Sequence, residues 1–348
     1  METCRSPRTV MRVAHDLAAR VLPDYTSRFS RHDFTLPQLF ACLVVREQLR
    51  LSYRKAEAVL RDTDWCKSIG MWWTPDHTTL CRAFGRIAND ASIRPLFDGC
   101  VGFIENGRSL AIDSTQFDIR HRSRHYEWRC RRHAAGHGNA ANTRRSATAR
   151  GIPKLAVGIE ASTHLIASAL GKTGMGSDAP DFAPLLTEAC SRGRWRRVLA
   201  DAGYDSKANH HLARDRLGVC SWIKTGVGRP SEKPAADLYR RKMQRQLRGS
   251  QAGRPYAQRA QAETVMSMLK RNLGDCLRAR TTHRREMEML LKVITHNIMI
   301  IRRQPRVATE PSRPLLFTLF SDILSKTDRA LSGNIQYLHF GVGCSFIH

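Results

Sequence analysis

The chain has 348 residues, enough to bury one sizeable core and to carry a second, smaller unit. Its 57 Lys and Arg against 31 Asp and Glu give a formal net charge of +26. The excess runs from Arg5 to Arg329 rather than sitting in a tail, so the folded body should attract a polyanion, nucleic acid first.

A membrane surface is the obvious rival partner, but the longest apolar run, Leu39 to Val45, falls far short of the ~18 residues that a crossing helix needs. The first 25 residues carry Asp16 among their apolar positions and contain no signal-peptide core. Ten cysteines, including Cys4, Cys42, Cys66 and Cys276, are scattered without a CxxC pair, which suits reduced thiols. A soluble, cytoplasmic, nucleoid-associated protein is expected.

Residues 1–105 read as a mostly helical region. Pro37 can open a helix through LPQLFACLVVREQLR, and Ser52 can cap a second one from Tyr53 to Leu60. Asp76 can cap a third, His77 to Ile87, in which Leu80, Phe84 and Ile87 pack while Thr78, Thr79, Arg82 and Arg86 face solvent or DNA. Two readings are open: a helix-turn-helix that reads DNA with His77 to Arg86, or an ordinary helical bundle. Trp72 and Trp73 could wedge between bases, although packing is the commoner fate of such residues.

From Ser109 the texture changes. SLAIDST reads as a buried strand ending in a carboxylate, Asp113. An intensely basic loop follows, and then KLAVGIEA and HLIASALG form a strand pair across Ser162 and Thr163. A helix begins at Asp178 and is interrupted or initiated near Pro184. RRVLADAGYDS is a second apolar strand ending in a carboxylate, Asp201, and Gly203 turns the chain. A helix near Lys207 to Arg216, with Asp205 as its cap, leads to the strand GVCSWIK. A basic linker near 225–253 then delivers the chain to a helix over Arg254 to Lys270. HRREMEMLLKVITHNIMIIRR is a strong amphipathic helix, and the tail, 306–348, has no clear assignment.

The stretch RPYAQRAQAETVMSMLK carries most of the chemistry. At about 100° per residue, Arg259, Glu263 and Lys270 fall within roughly 60° of Tyr256, with Val265, Met268 and Leu269 opposite. A carboxylate between two cations suits a hard metal ion and a phosphate backbone, while the plainer reading is a solvated helix face. Strands and helices alternate, with Asp113 and Asp201 at the carboxyl ends of two strands and Glu263 on a later helix. That is an α/β layer arrangement in which strand ends build the site. Three such carboxylates could hold two Mg²⁺ ions that offset their mutual repulsion.

Together, AIDST with Asp113, LADAGYDS with Asp201, and Tyr256, Arg259, Glu263 and Lys270 at spacings of two, three and six resemble the DDE transposases of prokaryotic insertion sequences. The likeness is nearest to the group marked by a Tyr-Arg-Glu-Lys signature, and it covers roughly residues 35–300. It implies an α/β, ribonuclease H-like catalytic domain over 106–305, preceded by the helical N-terminal region. It implies Asp113, Asp201 and Glu263 as the catalytic, metal-binding triad, with Mg²⁺ as cofactor and Mn²⁺ as substitute. Tyr256, Arg259 and Lys270 would contact transposon-end phosphates, and Arg82 and Arg86 are further DNA-binding candidates. The family reaction is nicking of double-stranded DNA at the element's ends, followed by attack of the freed 3′-hydroxyl on target DNA. Synapsis of two ends predicts a homodimer on DNA.

Other readings stay open. One is a catalytically silent DNA-binding descendant. Another is a zinc-dependent nucleic-acid-binding module built on His121, His125, Cys130, His133 and His137, although these spacings match no standard finger. The Gly-rich 171–177 stretch lacks the Gly-Lys-Ser/Thr ending of a phosphate loop.

Overall fold

In the N-terminal hundred residues, local chemistry starts each helix. Helix α1 (Pro7–Ala19) is capped by Ser6, and α2 (Leu36–Gln48) by a reciprocal capping box between Thr35 and Gln38. Ser52 caps α3 (Tyr53–Arg61), and Asp76 caps α4 (His77–Ile87) by accepting the Thr79 N–H at 2.6 Å. Asn89 caps α5 (Asp90–Val101). The computed structural model describes residues 4–102, 104, 107–120, 128, 152–174, 176–225, 237–248 and 253–301. The His/Cys cluster at 121–137, most of the basic loop around it and the C-terminal tail lie outside them.

The chain then enters a sheet. Strand β1 (Gly107–Gln116) is followed by the short β2 (Asp118–Ile119), then β3 (Pro153–Glu160) and β4 (Ile166–Thr173). Helix α6 (Ala179–Arg192) leads to β5 (Trp195–Ala200), and α7 (Lys207–His211), extended by a π turn to Arg216, leads to β6 (Cys220–Ile223). The five-stranded order is β4-β3-β1-β5-β6. Strands β1, β3 and β4 are antiparallel neighbours, whereas β5 and β6 run parallel to β1. This mixed sheet within an α/β layer is consistent with a ribonuclease H-like fold.

Helices α8 (Leu238–Arg248), α9 (Gly253–Ala257) and α10 (Ala260–Leu273) come next, and β7 (Cys276–Leu277) pairs with β2. Gly274, with φ of 84°, takes the chain out of α10 through a region that L side chains avoid. Residues 238–248, expected as linker, are therefore helical.

Helix α11 (Thr282–Ile301) ends the described chain, and its sequence pattern misleads. Amphipathic periodicity predicts one wet face, yet nearly every residue from Met287 to Ile301 is buried. The helix threads between the N-terminal helices and the sheet, packing on α2, α5 and β4. Its buried polar residues each find a partner. Lys292 Nζ donates to Glu47 Oε2 at 3.2 Å and to the Leu273 carbonyl at 2.6 Å. Asn297 clasps the backbone of Ile166, donating to its carbonyl and accepting its N–H, both at 2.9 Å. That side-chain amide supplies edge strand β4 with the pairing a further strand would give. Among the described residues no helix is long and apolar enough to cross a membrane.

Candidate active site

Parallel pairing of β1 with β5 aligns Ile112 with Ala200. The residue after each is an aspartate: Asp113, still inside β1, and Asp201, immediately past the end of β5 and exposed. Asp113 is also held locally: the Ser114 N–H donates to its Oδ1 at 2.8 Å. Burial raises the Asp113 carboxyl above its ordinary range, and the charges of Glu263 and Asp201 push it the same way, while Arg259 and the Ser114 N–H oppose them.

The third carboxylate arrives on α10. That helix buries Ala262, Val265, Met266, Met268, Leu269 and Leu273, leaving the Glu263 side chain 60% exposed. Arg259 pairs with Glu263 one turn away, and its Nη1 lies 3.9 Å from Asp113 Oδ2. The guanidinium thus sits between two of the three acids.

The single helix expected over Arg254 to Lys270 is in fact broken. Arg259, Gln261 and Ala262 donate to carbonyls three residues back, at 2.9, 3.1 and 2.9 Å, so the chain tightens between α9 and α10. Ser109 on β1 holds Gln258 in this turn through a 2.6 Å side-chain bond. Tyr256 stays within electrostatic reach of Arg259, Asp201, Asp113 and Glu263, and its hydroxyl donates to the Ala200 carbonyl at 3.2 Å, directly before Asp201. Lys270 remains on α10, its ammonium 5.9 Å from the centre of the Phe117 ring. Arg82 and Arg86 are exposed on α4, with Thr78, while Thr79 is half-buried.

Residues 106–298 match the sequence model of the transposase DDE domain. The chain belongs to that family. A comparison with curated proteins gives no match.

Around the carboxylates of this DDE transposase domain lies a set of residues that sequence reasoning did not place there. The Ser114 hydroxyl donates to Asp178 Oδ1 at 2.9 Å, and the buried Lys154 ammonium pairs with the same carboxylate and, at 3.2 Å, with Asp181. Asp178 is the N-cap residue of α6 by position, but its side chain makes no capping bond. Pro184 lies inside α6 without starting or breaking it. Tyr204 is 1% exposed, and burial, then Asp178, Asp113 and Asp201, push its phenol well up. No sequence signal marked Asp178 as part of this set; only the fold brings it close to Gly203, where a Cβ would come within 3.1 Å of Asp178 Oδ2.

Two expectations are corrected. Asp205 does not cap the next helix: Ser206 does, accepting the Asn209 N–H at 3.1 Å. Asp205 is instead buried and gripped by Arg240 of α8 through contacts of 2.6 to 3.1 Å. A buried carboxylate needs a cation more than a helix start does, and a hydroxyl can cap as well. Trp72 and Trp73, expected to pack, are 87% and 63% exposed.

As the side chains stand, no group of three His, Cys, Asp or Glu residues is close enough to hold a metal ion among the described residues. The donor chemistry nevertheless fits a hard divalent cation. The charges of Glu263 and Asp201 both reach Asp113 and raise the cost of ionising it, and Arg259 offsets part of that repulsion.

Proposed function

We propose that the protein is a DNA transposase that nicks the ends of its element and joins the freed 3′-hydroxyl to target DNA. The observation that supports this reading is the parallel pairing of Ile112 with Ala200, each followed by an aspartate, together with the charges of Asp201 and Glu263 acting on Asp113.

Asp113, Asp201 and Glu263 would hold Mg²⁺, with Mn²⁺ as substitute. Bound there, such an ion would supply activation of the attacking oxygen and stabilisation of the leaving one. The remaining roles belong to this chain. Arg259 leaves its pair with Glu263 and turns to a DNA phosphate, and Lys270, seven residues after Glu263 on the same helix, meets the next one. Tyr256 fixes the Ala200 carbonyl and so the backbone from which Asp201 projects. Ser114, the residue after Asp113, is itself held through its hydroxyl by Asp178, which pairs with Lys154. Two copies of the chain bring two ends together on DNA.

The test uses pre-cut ends with free 3′-hydroxyls, made from the DNA flanking this gene, and a target plasmid in Mg²⁺. Joined product from the natural protein, lost in Asp201→Asn and Glu263→Gln, is expected. Equal DNA binding by all three proteins with no joining by any would instead make the chain a silent DNA-binding descendant.

A further inference from the structure

At the start of α11 a cleft of about 500 Å³ opens between that helix, α2, α3 and α4. Its apolar floor comes from Tyr53, Cys81 and Phe84, and its walls are arginines. Arg280 and Arg284 are exposed at the rim, and neither has a carboxylate partner among the described residues. Arg284 lies against α4, its Nη2 3.2 Å from where a Cβ on Gly85 would stand, and His283 bonds the Ala88 carbonyl at 3.2 Å. Arg82 and Arg86, on the exposed face of the same α4, also lack a carboxylate partner among the described residues.

The acid that lines the cleft is already committed. Glu288 accepts the backbone N–H groups of Arg278 and Ala279 at 2.8 to 3.1 Å. It shapes the floor instead of neutralising the rim. Deeper in, Arg278 donates to the carbonyls of Arg50 and Leu51. Arg46 is 3% exposed, stacks 4.0 Å over the Tyr53 ring and pairs with Glu47, yet its Nε has no hydrogen-bond partner among the described residues. A buried guanidinium with an unmet donor is costly unless an acceptor comes near. Burial depresses the Arg278 guanidinium, and the neighbouring Arg46 charge adds to it, so the two cations crowd each other. Finally, Thr281 lines the cleft immediately before the 20-residue α11, so the positive end of a long helix borders it.

We propose that this cleft is a second phosphate-binding site, in which Arg280, Arg284 and the N-terminus of α11 clamp the backbone of the transposon-end DNA. Arg82 and Arg86 carry the same strand along α4. A free phosphate ion would need one such clamp, whereas four exposed arginines on neighbouring elements match the repeated charge of a nucleic-acid strand. The inference rests on DNA being the substrate, but it uses none of the residues proposed for cutting.

The experiment compares the full chain with Arg280→Ala/Arg284→Ala and with a charge-matched control, Arg12→Ala/Arg20→Ala, both pairs being exposed. The probe is a labelled duplex from the DNA flanking the gene, titrated across salt concentrations. The first variant should bind more weakly, with a log–log salt slope shallower by about 0.9 for each phosphate that it no longer neutralises. The control should change the slope by much less. In parallel, the duplex should slow alkylation of Cys81, which lines the cleft, several-fold in the natural protein and leave Cys190 unaffected. Equal slopes for the two variants, or equal alkylation of Cys81 with and without DNA, would overturn the proposal. Strand joining by the natural protein in the same preparation keeps that failure separate from a failure of the transposase reading.

Discussion

Asp113 shows at a single residue how this site trades stability for chemistry. Its carboxyl is raised by burial and by Glu263 and Asp201, so the ionised form is destabilising in the metal-free fold. The sign follows directly: a raised carboxyl favours the fold below its ordinary pKa and weakens it as pH rises through the raised value. Asp113→Asn should therefore raise the melting temperature of the metal-free protein at neutral pH while abolishing cleavage; an unchanged or lower melting temperature would contradict that balance. Tyr256 acts one step back. Tyr256→Phe removes the bond to the Ala200 carbonyl, and a fall in cleavage of about 10-fold is expected, at the lower end of what residues supporting metal ligands contribute. DNA binding measured by gel shift should stay as it was, since the deleted hydroxyl faces the strand end.

At the scale of elements, how legible the chain was depended on whether the deciding contact was local. The start of α4 was readable because a cap is a three-residue device: Asp76 meets the Thr79 N–H, and its carboxyl falls to about 2. Asp76→Ala should cost about 1 kcal/mol in denaturant unfolding, typical of removing a cap. The two aspartate-ended strands were readable for the same reason, as short apolar runs ending in a carboxylate. The break between α9 and α10 was not, because Ser109, 149 residues away, holds Gln258 in the turn. Nor was the burial of α11, whose polar side chains look solvated until Glu47, Leu273 and Ile166 are brought to them from other elements. Asp205 misled likewise, because its partner Arg240 lies in a stretch that composition marks as linker.

For the whole molecule, α11 ties the N-terminal helices to the sheet, and its buried histidine sets a pH limit on the fold. His296 is 1% exposed, donates from Nε2 to the His164 carbonyl at 3.1 Å, and burial lowers its pKa to about 4. A depressed histidine contributes stability above its unfolded value near 6.5, and the contribution drains away as pH falls towards 4. That difference corresponds to roughly 3 kcal/mol. Unfolding midpoints in urea should fall between pH 6.5 and 4, and His296→Gln should flatten the profile; an equally steep profile in the variant would assign the acid sensitivity elsewhere.

The charge of the whole molecule, +26, explains attraction to DNA but not cutting, so the central claim stands on the three carboxylates. The most direct measurement is strand cleavage of an intact duplex that spans the junction flanking this gene, in Mg²⁺ or Mn²⁺, with the natural protein beside Asp201→Asn and Glu263→Gln. Metal-dependent nicking at one defined position, reduced by at least ~100-fold in both variants, is the expected result, since losing a ligand should exceed the 10–100-fold cost of losing its support. Nicking that persists in either variant would contradict the account, because the cut would then be made without the acids that β5 and α10 bring to Asp113.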